Sequence, residues 1–161
     1  MNAIELLESQ HREVESLFSK IEKARTSASK TKLFEQIADK LAVHAAIDEH
    51  HFYPAVKEKR TEDILLESLE EHLAIKRVLA DLLDLDAGDE TFDAKLKVLK
   101  EEVEHHVGEE ESDLFPKVRA VIDEDQLEAI GQEMSDEQVE LEEQGDPRNA
   151  VPAETGQAAS I

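Results

Sequence analysis

Residues 44–56, HAAIDEHHFYPAV, and residues 106–118, HVGEEESDLFPKV, are two copies of one pattern: a histidine, a carboxylate four positions later and a proline ten positions later. The copies start 62 residues apart. At nearly the same separation a second pair recurs, QHREVESLFSKI at 10–21 and EHLAIKRVLADL at 71–82, each with one histidine near the start of an amphipathic run. The chain is therefore an internal duplication. Each half carries one lone histidine (His11, His72) and one histidine–carboxylate pair (His44 with Asp48, His106 with Glu110). Self-similarity of this kind names an architecture before any propensity does.

Working outward, apolar residues recur at helical spacing in four long stretches. The first, about 2–25, aligns Ile4, Leu7, His11, Val14, Phe18 and Ile21; the second, about 30–59, aligns Phe34, Ile37, Leu41, His44 and Asp48, then His51 or Phe52. Pro54 should kink that helix or begin a new turn. The third, about 62–86, begins at Thr61 as N-cap and carries Leu65, Leu69, His72, Ile75, Leu79 and Leu82. The fourth, about 90–122, carries Leu96, Leu99, Val103, His106, Glu110, Leu114 and Val118. Short connections make sequential helices antiparallel neighbours, so the expectation is an all-α, up-down-up-down four-helix bundle over residues 1–122. Asp123 with Gln126 suggests a capping box that opens a short, acidic fifth helix over 123–144. The remainder, 145–161, has no periodicity and is expected to be a disordered tail.

Composition narrows the function classes. All 161 residues suit one domain, and five Gly, four Pro and few aromatics favour helices over sheet. The absence of cysteine removes disulfides, thiolate catalysis and Cys-ligated clusters. A net charge of −22 opposes nucleic acid and anionic membranes as partners. No run is long and apolar enough to span a bilayer, and the acidic start MNAIELLESQ lacks the apolar stretch of a signal peptide. A cytoplasmic protein is expected. From Asp123 onward Arg148 is the single Lys or Arg, which reads as a solubilising acidic extension.

The chemistry follows from the helix period. Residues four apart share a face, so His44 with Asp48 and His106 with Glu110 project inward, joining His11 and His72. Any one of these histidines alone reads as a satisfied core residue. Together, two buried carboxylates among four imidazoles are stabilised most simply by metal cations. His51, seven residues beyond His44, returns to the stripe as a possible further imidazole or supporting partner; His50 falls off it toward solvent. His105 with Glu109 forms a competing register, but aligning Pro54 with Pro116 selects His106 with Glu110.

In this order of motifs, roughly residues 4–120 resemble the hemerythrin-type HHE cation-binding domains. The resemblance implies a four-helix bundle holding two non-haem irons, bridged by the two carboxylates and a solvent-derived oxygen, with His11, His44, His72 and His106 as terminal ligands and Glu110 as one bridge. At position 48 the family usually has Glu; here Asp48, or Glu49 beside it, takes that role. The animal oxygen carriers also have a second histidine four residues after the third-helix one, where this chain has Lys76, and His51 is the candidate replacement. Mixed imidazole and carboxylate ligands suit iron, while zinc and manganese remain compatible. The function expected is interaction with O2, peroxide or nitric oxide in oxygen and redox stress or iron handling. The alternative is a non-catalytic iron or oxygen sensor acting through a protein partner that the sequence does not identify.

Overall fold

A computed structural model describes residues 1–57 and 61–161; the end of the second expected stretch, 58–60, lies outside the described residues. Helix α1 (Ala3–Lys23) opens on Asn2, whose side chain accepts from the Glu5 amide while the Glu5 carboxylate accepts from the Asn2 amide. Its stripe from Ile4 to Ile21 is buried as the periodicity requires. Helix α2 (Ser27–Ile47) starts earlier than expected, because Thr26 Oγ1 accepts from the Ser29 amide at 3.1 Å. Four-residue α3 (Tyr53–Val56) continues it, and α4 (Glu62–Leu83), α5 (Phe92–Glu109), α6 (Phe115–Val121) and α7 (Glu124–Gln144) follow. Among the described residues there is no strand, and no helix is long and apolar enough to cross a membrane. Thr61 precedes α4, but its hydroxyl donates backwards to the Val56 carbonyl at 2.7 Å rather than capping the helix.

Each of the two prolines begins a new helical segment, Pro54 in α3 and Pro116 in α6. Pro54 and Pro116 have no amide hydrogen, and their rings would collide with the carbonyl four residues earlier. The chain responds with one widened π turn in each half, Asp48–Phe52 and Glu110–Leu114. The Asp48 carbonyl accepts from the Tyr53 amide, and the Glu110 carbonyl from the Phe115 amide. Each turn thus begins at one of the duplicated carboxylates and inserts a residue into the helical register.

Two apolar clusters enclose the histidines. One gathers Ile4, Leu7, Ile47, Phe52, Tyr53, Leu65, Leu69, Leu114, Phe115 and Val118; the other gathers Val14, Phe18, Ile37, Leu41, Ile75, Leu79, Leu99 and Val103. His11, His44, His72 and His106 lie between them along α1, α2, α4 and α5.

The C-terminal third departs from expectation after its helix. Helix α7 is 21 residues long, as long as α1, and it packs on α1, α2 and the first π turn. Asp123 caps it through the Gln126 amide at 2.9 Å. A Cβ at Gly131 would stand 2.7 Å from the Ala3 amide nitrogen and the Met1 carbonyl, so glycine is what permits this close crossing. The tail expected to be disordered is instead ordered: Pro147–Glu154 forms a 3₁₀ helix against α2 and α4. Val151 is buried, Arg148 pairs with Asp39 at 3.0 Å, and Arg77 donates to the Thr155 carbonyl. These few anchors are individually placed residues, which an average over composition does not register.

Candidate metal centre

Six side chains from four helices and their π turns converge in the buried interval between the apolar clusters. One donor atom from each of His44, Asp48, His106 and Glu110 lies within 4.8 Å of the other three. His11 Nε2 is 3.3 Å from Glu110 Oε1, and His72 Nε2 is 3.6 Å from Asp48 Oδ2 and 3.1 Å from His106 Nε2. His106 Nε2 reaches Glu110 Oε1 at 3.0 Å, and His44 Nε2 reaches Asp48 Oδ2 at 3.2 Å. Every one of the six residues is buried.

What aims the imidazoles is a second layer, duplicated like the first. The residue before each lone histidine serves the paired histidine of its own half: Gln10 Oε1 accepts from His44 Nδ1 at 2.8 Å, and Glu71 Oε1 from His106 Nδ1 at 2.9 Å. The residue after each carboxylate serves the lone histidine of the other half: Glu49 accepts from His72 Nδ1 at 2.7 Å, and Glu111 from His11 Nδ1 at 2.9 Å. Oxygen acceptors at all four Nδ1 atoms place the proton there in the neutral rings and turn every Nε2 lone pair inward. The Gln10 amide is itself oriented, donating through its nitrogen to Gln138 Oε1 on α7 at 3.1 Å.

This layout leaves donor atoms without partners. His11 Nε2 and both Asp48 oxygens are buried and make no hydrogen bond; their neighbours are close but misaligned. His72 Nε2 and His106 Nε2 face each other, so two lone pairs meet unless a cation or a proton stands beside them. Buried acceptors in this state are costly, and a metal ion satisfies all of them. The residues present therefore fit a metal.

Three comparisons bear on this geometry. The hemerythrin HHE cation binding domain model matches residues 2–118. The chain belongs to the hemerythrin HHE cation-binding family. A solved structure of a hemerythrin HHE cation binding domain-containing protein from Mycobacterium kansasii, an Rv2633c homolog, superposes with a TM-score of 0.78 at 26% identity, covering 96% of this chain and 91% of that one. A protein of Nostoc sp. described as a DNA nickase is 27% identical over 128 residues; the match takes in 80% of this chain and 36% of that protein, so the chain spans about a third of its relative's length.

Electrostatics in this HHE domain favour cations at the centre. Burial works against charge on the His44 ring, yet Asp48 and Glu110 raise it to about 9. Burial likewise opposes charge on His106, which Glu110, Glu71 and Asp48 raise to about 10. Burial would lift the Glu110 carboxyl, but His106, His11 and His44 pull it well below the usual carboxylate range. Without metal, protons take the cation's place.

Two residues named as alternatives for the centre stand outside this cluster. Glu49 sits one layer out, held by His72 and by Lys76 Nζ at 2.9 Å. His51 is turned out of the centre toward α7, where Glu137 holds its Nε2 at 2.6 Å. The π turn causes this: its inserted residue puts position 53, not 51 or 52, in line behind Asp48. Tyr53 accordingly occupies the place His51 was expected to fill, with its hydroxyl donating to Glu110 Oε2 and 3.3 Å from His72 Nε2. Burial, then the negative charges of Asp48 and Glu110, push its phenol well above the ordinary value. His50 is exposed as the stripe implies, and His105 lies outside the core against Glu71 and Glu109.

Proposed function

We propose that this chain holds two iron ions between four helices running up-down-up-down, and that O2, peroxide or nitric oxide is its small-molecule ligand. In this reading His11, His44, His72 and His106 are terminal ligands, while Asp48 and Glu110 bridge. The carrying observation is the complete second layer: four Nδ1 atoms, each fixed by an oxygen acceptor, turn four Nε2 atoms toward two carboxylates. A metal-binding family and a buried donor cluster support the metal; the mixed nitrogen and oxygen donors support iron. Iron so held supplies a redox-active site for a diatomic or peroxide ligand. The protein's own residues supply orientation, a Tyr53 hydroxyl beside Glu110 and buried surroundings.

DNA nicking stays a statement about the Nostoc relative, and the strongly acidic chain favours no nucleic-acid or membrane partner, in keeping with a cytoplasmic protein. One observation favours the sensor alternative: the C-terminal segment is tied to the centre through Glu154, Lys76, Glu49 and His72 in sequence, so occupancy could be felt at the surface. Metal analysis with absorption spectra under nitrogen, air and peroxide tests the main reading. Two irons per chain and a near-ultraviolet charge-transfer band in air are expected. One metal or none after anaerobic iron reconstitution would sink it.

A further inference from the structure

The centre opens on one side into a cavity of about 510 Å³, which all four histidines line. That is the size of an organic-ligand pocket, while a molecule the size of water takes about 30 Å³. Beyond the imidazoles its walls are mainly aliphatic, from Val14, Leu41, Ile75, Leu79 and Val107, and the C-terminal segment covers it with Val151 and Ala158. At its border Lys76 Nζ is held by Glu49 at 2.9 Å and by Glu154 at 3.1 Å.

We infer that this cavity is a binding site for a largely apolar organic molecule, whose polar oxygen end faces the histidines. The inference rests on the metal reading only for that orientation. The metals and a diatomic ligand would fill only the histidine end of this volume, whereas an alkyl chain desolvated against the aliphatic walls gains from the rest. The ordered C-terminal segment is then part of the site, because without Val151 and Ala158 the chain would lie in water.

Calorimetric titration of the full-length protein with 1-hexanol and with methanol at pH 7.5, with metal content measured on the same samples, tests this. Hexanol is expected to saturate one site and methanol to bind at least tenfold more weakly. Ala46→Phe, which fills the cavity from α2, and Val151→Phe, which fills it from the cover, should each weaken hexanol at least tenfold while helicity is retained. Metal-loaded protein that shows no saturable hexanol binding, or that binds methanol equally well, overturns the cavity assignment alone, as do two folded filling variants that bind like the parent. Hexanol binding by protein that takes up no metal supports the cavity and overturns the metal reading instead.

Discussion

Gln10 Oε1 accepts from His44 Nδ1 at 2.8 Å at the place where, in the second half of the chain, Glu71 accepts from His106 at 2.9 Å. The two halves therefore present similar ligands with unequal support: an amide behind one imidazole and a carboxylate behind its counterpart. A carboxylate makes the opposite nitrogen more basic, and Glu71, after Glu110, is among the groups that raise His106. Glu71→Gln keeps an acceptor and removes the charge, so it should weaken metal retention by about tenfold, the low end for such partners. Chelator competition measures this, and an unchanged affinity would mean that Glu71 only orients the ring.

Protons and metal compete for the same atoms, which sets the pH dependence. His44 and His106 have folded values of about 9 and about 10, against an ordinary 6.5. At pH 7 the metal-free centre is thus protonated at both rings, and loading must release those protons. Apparent metal affinity should rise with pH from 7 toward 10. For metal-free stability the sign is opposite: raised histidine values stabilise fully below 6.5, and this is lost as pH rises through about 9 to 10. Glu110, lowered from 4.5, stabilises above that value and loses its contribution as pH falls through its folded one. Metal-free protein should therefore melt highest in mildly acidic solution and progressively lower in alkali, as a melting series from pH 4 to 10 will report. A melting temperature that climbs between pH 7 and 10 would contradict the protonated pair.

The ordered C-terminus predicts a cost for removing it. Deleting residues 145–161 takes away buried Val151, the Arg148 pair with Asp39 and the Glu154 pair with Lys76. Exposing the Val151 contact alone costs about 1.5–3 kcal/mol, so the truncated chain should melt several degrees lower and expose its cavity to apolar dyes. Identical melting curves for full-length and truncated protein would show that the segment adds nothing to the fold.

How much of this was readable beforehand depended on whether a residue obeys the helical period. His11, His44, Asp48, His72, His106 and Glu110 do, and their convergence was visible as duplicated spacing. The helical period does not single out Tyr53 and offers His51 instead, because the π turn breaks that period between Asp48 and Pro54. The signal was present in the proline lying six residues after each carboxylate, which denies the helix its next hydrogen bond and pushes the chain to widen. Gln10, Glu71 and Glu111 adjoin the candidate ligands and share the duplication, but off-stripe polar residues look like solvated surface until the partner helix is in place. The ordering of Pro147–Glu154 depends on a surface formed by α2 and α4, which local composition does not encode.

Asp48 and Glu49 divide the remaining question between adjacent side chains. Asp48 points into the centre with both oxygens buried and unpartnered, whereas Glu49 is fully engaged by His72 and Lys76. A carboxylate already bound twice would have to abandon a buried ammonium to bridge metals, leaving Lys76 with Glu154 alone. Asp48→Asn preserves shape and removes the charge, so it should lose at least one metal per chain. Glu49→Gln keeps an acceptor for His72, so it should retain both and weaken their hold about tenfold through that ring. Metal content per chain after gel filtration separates the two. If Glu49→Gln emptied the site while Asp48→Asn left it full, the bridge would belong to Glu49, and the first π turn would have to rearrange on loading to swing that side chain inward.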